Sequence, residues 1–112
     1  MTGYQSGLLG EQLAAKYLVK QGLSILQTRF KSHHGEIDII ARDKDILCFI
    51  EVKYRPNGRL GCGLESVTLE KRRRMKNAVQ AYLSLQPSAY RVGCLEITRA
   101  GVLYYPDILH ES

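Results

Sequence analysis

The chain has 112 residues, of which 45% are hydrophobic and 24% charged, and its formal net charge is +5. This length suits a single domain over residues 1–112, and the hydrophobic content excludes a disordered chain. The excess of basic residues favours a polyanionic partner such as nucleic acid, and the absence of a long apolar run excludes a membrane-spanning helix.

The first predicted element is a helix over residues 5–21, which Gly22 ends. Leu8 and Leu18 belong to its apolar stripe, and Glu11 interrupts that stripe at helical spacing. Either Glu11 lies at the margin of the stripe and reaches solvent, or it approaches a functional site. The residues before this helix lack a basic region followed by an apolar core, so we expect no signal peptide.

A short strand is predicted over residues 23–30, followed by a polar loop over residues 31–35. The loop contains His33 and His34. Because neighbouring side chains in a loop rarely form a complete metal site, we expect both histidines to be exposed to solvent or to contact phosphate.

The stretch over residues 35–55 reads as two strands joined by a tight turn at Asp43, Lys44 and Asp45. The first strand alternates polar and apolar residues, which is typical of a strand with one covered face. The second is almost continuously apolar from residue 46 to residue 52, which indicates a strand covered on both faces.

Antiparallel pairing from a tip at Asp43 and Lys44 gives three predicted pairs: Ile40 with Leu47, Asp38 with Phe49, and Glu36 with Glu51. One face of the hairpin then carries three carboxylates and one ammonium group: Glu36, Asp38, Glu51 and Lys53. Two carboxylates about 4 Å apart repel by about 4 kcal/mol at an effective dielectric constant near 20. A divalent cation bound by oxygen ligands is the simplest way to offset that repulsion.

The segment after this hairpin is loop-like over residues 56–63 and carries cations at Arg55 and Arg59. Two interpretations remain open for it. The segment either closes over a nucleic-acid backbone or simply connects the hairpin to the next helix.

A second helix is predicted over residues 68–85, with Thr68 as its N-cap. Its first turns carry four consecutive cations: Lys71, Arg72, Arg73 and Arg74. Cations at a helix N-terminus oppose the helix dipole, which favours phosphate contact over a merely solvated face. Lys71 continues the apolar stripe of the helix, so we expect its side chain to point toward the sheet.

Two more strands are predicted over residues 90–97 and 102–105, and residues 107–112 form a tail. The chain has three cysteines with no close spacing: Cys48, Cys62 and Cys94. Their number and spacing support neither a disulfide framework nor a zinc site, which indicates the reducing cytoplasm. The element order predicts an α/β domain with a mixed central β-sheet flanked by one helix on each side.

Asp38, followed a strand later by Glu51, Val52 and Lys53, resembles the PD-(D/E)XK signature of the restriction-endonuclease-like nucleases. The wider wording, GEID and then FIEVKYR, resembles the YraN-like family of small bacterial proteins, which is grouped with that fold and is similar to archaeal Holliday-junction resolvases. The resemblance implies a restriction-endonuclease-like core. The family usually carries an aspartate in the fourth strand where this chain has Gly93, so that role is absent or is taken over by Glu96.

The resemblance implies metal-assisted hydrolysis of phosphodiester bonds. Asp38 and Glu51 would bind Mg²⁺ or Mn²⁺, with the Val52 carbonyl as a further oxygen ligand, and Mg²⁺ suits a site of one or two carboxylates. Lys53 would orient the attacking water or neutralise charge that develops on the phosphate.

Three further residues are peripheral candidates by the same resemblance. Glu36 would bind a second metal ion or hold a water, Glu11 would approach the metal site from the first helix, and Lys71 would face phosphate.

Three functions follow. The first is a metal-dependent endonuclease acting on branched or structured DNA, with a homodimer as a possible assembly. The second is a nucleic-acid-binding module on the same fold without cleavage. The third is a protein-interaction domain whose acidic pocket is incidental.

Overall fold

The structure is a computed structural model that describes residues 3–33, 35–58 and 68–108. Within these ranges the chain forms two helices and five strands: α1 (Gly3–Lys20), β1 (Ser24–Ser32), β2 (Gly35–Asp43), β3 (Ile46–Tyr54), α2 (Leu69–Leu85), β4 (Tyr90–Thr98) and β5 (Gly101–Tyr105). The predicted element order and α/β class are confirmed. His34, Arg59 and Cys62 lie outside the described residues, and neither described helix is long and apolar enough to cross a membrane.

The five strands form one sheet in chain order, β1-β2-β3-β4-β5. Strands β3 and β4 are parallel, and the other neighbouring strands are antiparallel. A parallel pair needs a long crossover connection, and α2 supplies it. The predicted mixed sheet is therefore confirmed.

Each face of the sheet is covered by one helix. Three apolar residues of α2 pack on one face (Met75, Ala78, Val79), and two of α1 pack on the other (Ala14, Leu18). On β3, Leu47 and Phe49 face α2 whereas Cys48 and Ile50 face α1. The uninterrupted apolar run of β3 follows from this, because both of its faces are buried.

The predicted pairing of the central hairpin was wrong by two residues. Ile40 lies opposite Phe49 rather than Leu47, and the hairpin closes at the pair of Asp43 with Ile46. The turn lies at Lys44 and Asp45, and Lys44 has a positive φ of 56° that this tight turn requires. Because side chains alternate with a period of two, a shift of two residues leaves the side chains of the paired residues 39–43 and 46–50 on their predicted faces.

The regular alternation of β2 breaks at Asp38. Ile37 packs in the core beneath α2, whereas Ile39, two residues later, packs in the core beneath α1. On the neighbouring strand β1, Arg29 has a positive φ of 56°, an uncommon conformation for a residue other than glycine. The β2–β3 pairing runs only as far as the pair of Ile39 with Ile50, so Asp38 lies where the two strands separate.

Gly93 has no room for a side chain in this fold. A Cβ atom there would lie 2.5 Å from the carbonyl oxygen of Tyr105 and 3.0 Å from that of Pro106. The backbone after β5 passes this close because the N–H of Ile108 donates to the carbonyl of Val92 at 2.7 Å and Ile108 is buried. The space that a side chain at position 93 would need is therefore filled by the backbone of Tyr105 and Pro106.

Candidate metal and nucleic-acid site

Two ammonium groups converge on one oxygen of the Glu51 carboxylate. Lys53 Nζ lies 3.0 Å from Glu51 Oε1, and Lys71 Nζ donates to the same oxygen at 3.3 Å. Glu51 and Lys53 alternate along β3 onto the α2 face, and Lys71 lies in the first turn of α2 above them. The first turn is fixed by the predicted N-cap, because Thr68 Oγ1 accepts the backbone N–H of Lys71 at 3.2 Å.

At the point where β2 and β3 separate, the side chain of Asp38 replaces the backbone hydrogen-bond acceptor that a paired strand would supply. Its Oδ2 accepts the backbone N–H of Val52 at 2.8 Å. This bond satisfies a backbone donor beyond the last β2–β3 pair and holds the Asp38 carboxyl beside Glu51. Of the four residues predicted to share one face, Asp38, Glu51 and Lys53 therefore lie together here, whereas Glu36 is exposed.

The environment of Asp38 opposes its negative charge. The pKa of Asp38 is raised from an ordinary 3.8 to about 7. Burial is the largest cause and the neighbouring Glu51 carboxylate the next, while the hydrogen bond from Val52 acts in the opposite direction. The more distant carboxylate of Glu11 adds a smaller increase. At neutral pH the Asp38 carboxyl is therefore partly protonated, because its surroundings disfavour the ionised form.

Lys53 is the more buried of the two ammonium groups. Its side chain is 9% exposed, and burial lowers the pKa of Lys53 below its ordinary value of 10.5, with the nearby Lys71 ammonium acting in the same direction. A buried ammonium with a lowered pKa, held by one carboxylate, is poised to stabilise charge or to move a proton.

Asp38, Glu51 and Lys71 open onto a cavity of about 900 Å³, which we call the carboxylate cleft, whereas Lys53 lines a second cavity. Its acidic lining includes Glu36, Asp38, Glu51 and Glu70, and its basic lining includes Lys31, His33, Lys71, Arg73 and Arg74. Glu36 is exposed at the rim, where it pairs in register with Lys31 of β1. The cleft thus combines a recessed acidic centre with cations from β1, the following turn and α2.

The basic run of α2 divides between the cleft and another side of the helix. Arg73 and Arg74 line the cleft with exposed side chains, each 3.9 Å from a Glu70 carboxylate oxygen. Arg72 does not line it; its Nε is buried, and no described residue accepts a hydrogen bond from that atom. The four consecutive cations therefore do not form one surface.

Glu11 is held by Arg29. The Arg29 guanidinium donates to both carboxylate oxygens of Glu11, with the shortest distance 2.7 Å from Nη2 to Oε2. Glu11 also lines a second cavity of about 280 Å³ together with Asp38, Lys53 and Arg55. Asp38 lines both cavities, since it lies at the break in β2, and Arg55 is exposed beside the smaller one.

The donor set fits a hard divalent cation with few protein ligands. Among the residues that the structure describes, no three side chains of His, Cys, Asp or Glu gather closely enough to hold a metal ion by themselves. Mg²⁺ is bound through one or two carboxylates and retains several waters. Asp38 and Glu51 supply two carboxylates, and a bound cation would favour the ionised form of Asp38, which burial and the Glu51 carboxylate oppose.

Sequence reasoning missed three residues that shape the site. Arg29 forms an ion pair with Glu11. In the sequence, the only indication of such a role was a cationic residue within an otherwise strand-like segment. Lys31 lines the cleft because β1 continues to Ser32, beyond the predicted end at residue 30. Glu70 lines the cleft together with Arg73 and Arg74, and its spacing of three and four residues from them predicts ion pairs.

Comparison with known proteins gives one consistent family. The model of the uncharacterised protein family UPF0102 matches residues 10–102. A UPF0102 protein of Mycolicibacterium vanbaalenii is 38% identical, over 98% of this chain and 96% of its own length. UPF0102 proteins of Clostridium perfringens and Chlorobium chlorochromatii are 48% and 46% identical, over 71% and 70% of this chain. The matched region spans 66% of the Clostridium protein and 60% of the Chlorobium protein.

Proposed function

The chain belongs to the uncharacterised protein family UPF0102, whose name states no activity, and from the geometry of the carboxylate cleft we propose that it is a divalent-metal-dependent endonuclease. Its substrate is DNA, and branched or structured DNA is the form we favour. The observation that carries the proposal is the meeting of Asp38, Glu51 and Lys53 where β2 and β3 separate.

In this proposal Asp38 and Glu51 hold Mg²⁺ or Mn²⁺, and the Val52 carbonyl is a candidate third oxygen ligand. When bound, the cation supplies an acidified water and stabilises charge on the phosphate oxygens. Asp38 is kept in position by the Val52 N–H, and Glu51 is kept in position by its ammonium partners. Pre-positioning of this kind lowers the barrier because the groups need not reorganise during the reaction.

Lys53 supplies the second half of the chemistry. Attack of water on phosphorus forms one P–O bond and breaks another, and negative charge grows on the phosphoryl oxygens and on the leaving oxygen. The buried Lys53 ammonium, 3.0 Å from Glu51, can stabilise that charge and can donate a proton to the leaving oxygen.

The proposal places the protein in the reducing cytoplasm, where DNA and Mg²⁺ are available. The buried free thiols of Cys48 and Cys94 are compatible with that location.

The direct test combines metal binding with cleavage. We expect calorimetric titration of the metal-free protein with Mg²⁺ or Mn²⁺ to show binding, and the loaded protein to cut a member of a panel of nicked, branched and duplex DNA. Asp38→Ala should abolish both, because one of two carboxylate ligands is lost. A parent protein that binds DNA but cuts nothing across the panel would instead support the non-catalytic binding module.

The nucleic-acid part of the proposal has a separate test in the exposed cations of α2. Replacing Arg73 and Arg74 together by alanine should weaken DNA binding, because both side chains line the cleft. Each lost phosphate contact should reduce the slope of log affinity against log salt by about 0.9. Binding measured by fluorescence anisotropy over a range of salt concentrations gives that slope.

The matched control is Lys76→Ala, which removes an exposed cation from the same helix outside the cleft lining. Equal changes in slope per charge for Lys76 and for the two arginines would mean that DNA responds only to net charge, which contradicts binding in the cleft.

A further inference from the structure

The two ammonium groups on Glu51 differ in how firmly they are held. Both contact the same carboxylate oxygen, at 3.0 Å for Lys53 and 3.3 Å for Lys71. The Lys53 side chain is 9% exposed and lies on a sheet strand, whereas the Lys71 side chain is 44% exposed and opens onto the carboxylate cleft. Lys71 is therefore the ammonium group that can move from Glu51 into the cleft, while Lys53 stays buried beside the carboxylate.

The charges of this cluster balance without a metal ion when Asp38 and Glu51 are ionised. Two carboxylates then face two ammonium groups, Lys53 and Lys71. A divalent cation bound between the carboxylates would leave a net charge of +2 in a recessed space, and like charges at such short range repel strongly. Binding of the cation therefore favours departure of one ammonium group.

We propose that Lys71 is the internal counter-ion of Glu51, that it competes with the divalent cation, and that it transfers to a nucleic-acid phosphate when the cation binds. This inference rests on the proposed function. It gives Lys71 a role that Arg73 and Arg74 lack, because Lys71 contacts a carboxylate of the proposed metal site whereas their ion pairs are with Glu70.

One consequence is that metal ion and nucleic acid bind cooperatively. Phosphate that captures the Lys71 ammonium vacates the Glu51 oxygen, and a cation on that oxygen frees the ammonium for phosphate. Because binding free energies are linked reciprocally, each ligand then raises the affinity for the other.

The first test is the affinity of the DNA-free protein for Mn²⁺, measured from the electron paramagnetic resonance signal of free Mn²⁺. Lys71→Met keeps an apolar stem but removes the competing charge, and we expect it to raise Mn²⁺ affinity by about tenfold, within the usual range for coupled groups. Lys71→Arg keeps the charge and should bind Mn²⁺ as the parent does. Lys76→Met is the control for a general charge effect, and it should change the affinity little because its exposed side chain lies outside the cleft lining.

The second test repeats the Mn²⁺ titration in the presence of a short DNA duplex. The parent should gain Mn²⁺ affinity when DNA is bound, and Lys71→Met should lose most of that gain. An equal gain in both proteins would overturn the transfer of Lys71 to phosphate.

The outcomes separate this inference from the proposed function. If the parent binds Mn²⁺ and folded Lys71→Met binds it no more tightly, competition by Lys71 is overturned while the metal site stands. If the parent and every Lys71 variant bind no Mn²⁺, the metal site fails and the inference fails with it. Thermal unfolding of each variant establishes that the compared proteins are folded.

Discussion

Replacing Lys53 by methionine should lower the rate of DNA cleavage by about 10²–10³-fold, the usual loss when one group that stabilises transition-state charge is removed. Methionine preserves most of the aliphatic stem that packs beside the sheet, so the change removes mainly the ammonium group 3.0 Å from Glu51. Cleavage of the preferred DNA under saturating Mg²⁺ gives the rate.

The same variant should retain metal binding, and this separates its effect from that of Asp38→Ala. Lys53 is a partner of a carboxylate ligand and not a ligand itself, so Mn²⁺ affinity should hold or rise when it is removed. Lys44→Met, at the exposed tip of the hairpin, provides a control for the loss of one positive charge. Cleavage by Lys53→Met at the parent rate would exclude Lys53 from the reaction.

Replacing Asp38 by asparagine should stabilise the metal-free protein at neutral and alkaline pH. Burial raises the pKa of Asp38 from 3.8 to about 7, so between these values the native state binds a proton that the unfolded chain has released. The free energy of unfolding therefore falls as pH rises through this window, and the full cost is present above pH 7. Asparagine carries no charge and removes that cost.

The expected gain is about 2 kcal/mol or more at alkaline pH, because each pKa unit corresponds to about 1.4 kcal/mol. That gain should raise the melting temperature by roughly 5 °C or more in a domain of this size. Near pH 4 and below, the two proteins should be almost equally stable, because Asp38 is protonated in the native state. Calorimetric melting of metal-free protein across this pH range measures the difference.

The control for this experiment is Asp45→Asn, which changes an exposed aspartate in the hairpin turn. It should leave the pH dependence of stability close to that of the parent. A lower melting temperature for Asp38→Asn at alkaline pH would contradict this prediction. It would mean that the charged carboxylate gains more from its hydrogen bond with the Val52 N–H than it loses through burial.

A stabilising Asp38→Asn together with loss of metal binding would be a specific sign of function. A charged residue that lowers the stability of the free protein and lines a cleft is a candidate ligand-binding residue, because a bound ligand can compensate its charge. The same variant should accordingly lose the stabilisation that Mg²⁺ gives the parent, since only a ligand of the native state stabilises it.

The local sequence determined the order of the elements and the two faces of β3. The continuous apolar run of β3 predicted a strand buried on both sides, and Leu47 and Cys48 do face opposite helices. The motif at Glu51 and Lys53 predicted an acidic face, and a two-residue error in the pairing of Ile40 did not disturb it because side chains alternate with a period of two.

What only the tertiary structure decided depends on contacts between residues distant in the chain. Alternation alone does not reveal that β2 breaks at Asp38, because the break depends on the separation from β3 and on the N–H of Val52. Gly93 reads as a lost carboxylate, but the returning backbone at Tyr105 and Pro106 leaves no room for any side chain there.

The sequence likewise did not predict which opposite charge each charged side chain contacts. Glu11 is bound by Arg29, and Lys71 shares a carboxylate oxygen with Lys53, although the contacts join residues 18 and 20 positions apart along the chain. A charge pattern gives the side of an element on which a group lies. The packing of helices on the sheet fixes which opposite charge it meets, because that depends on distances of a few ångströms between elements that local propensity does not set.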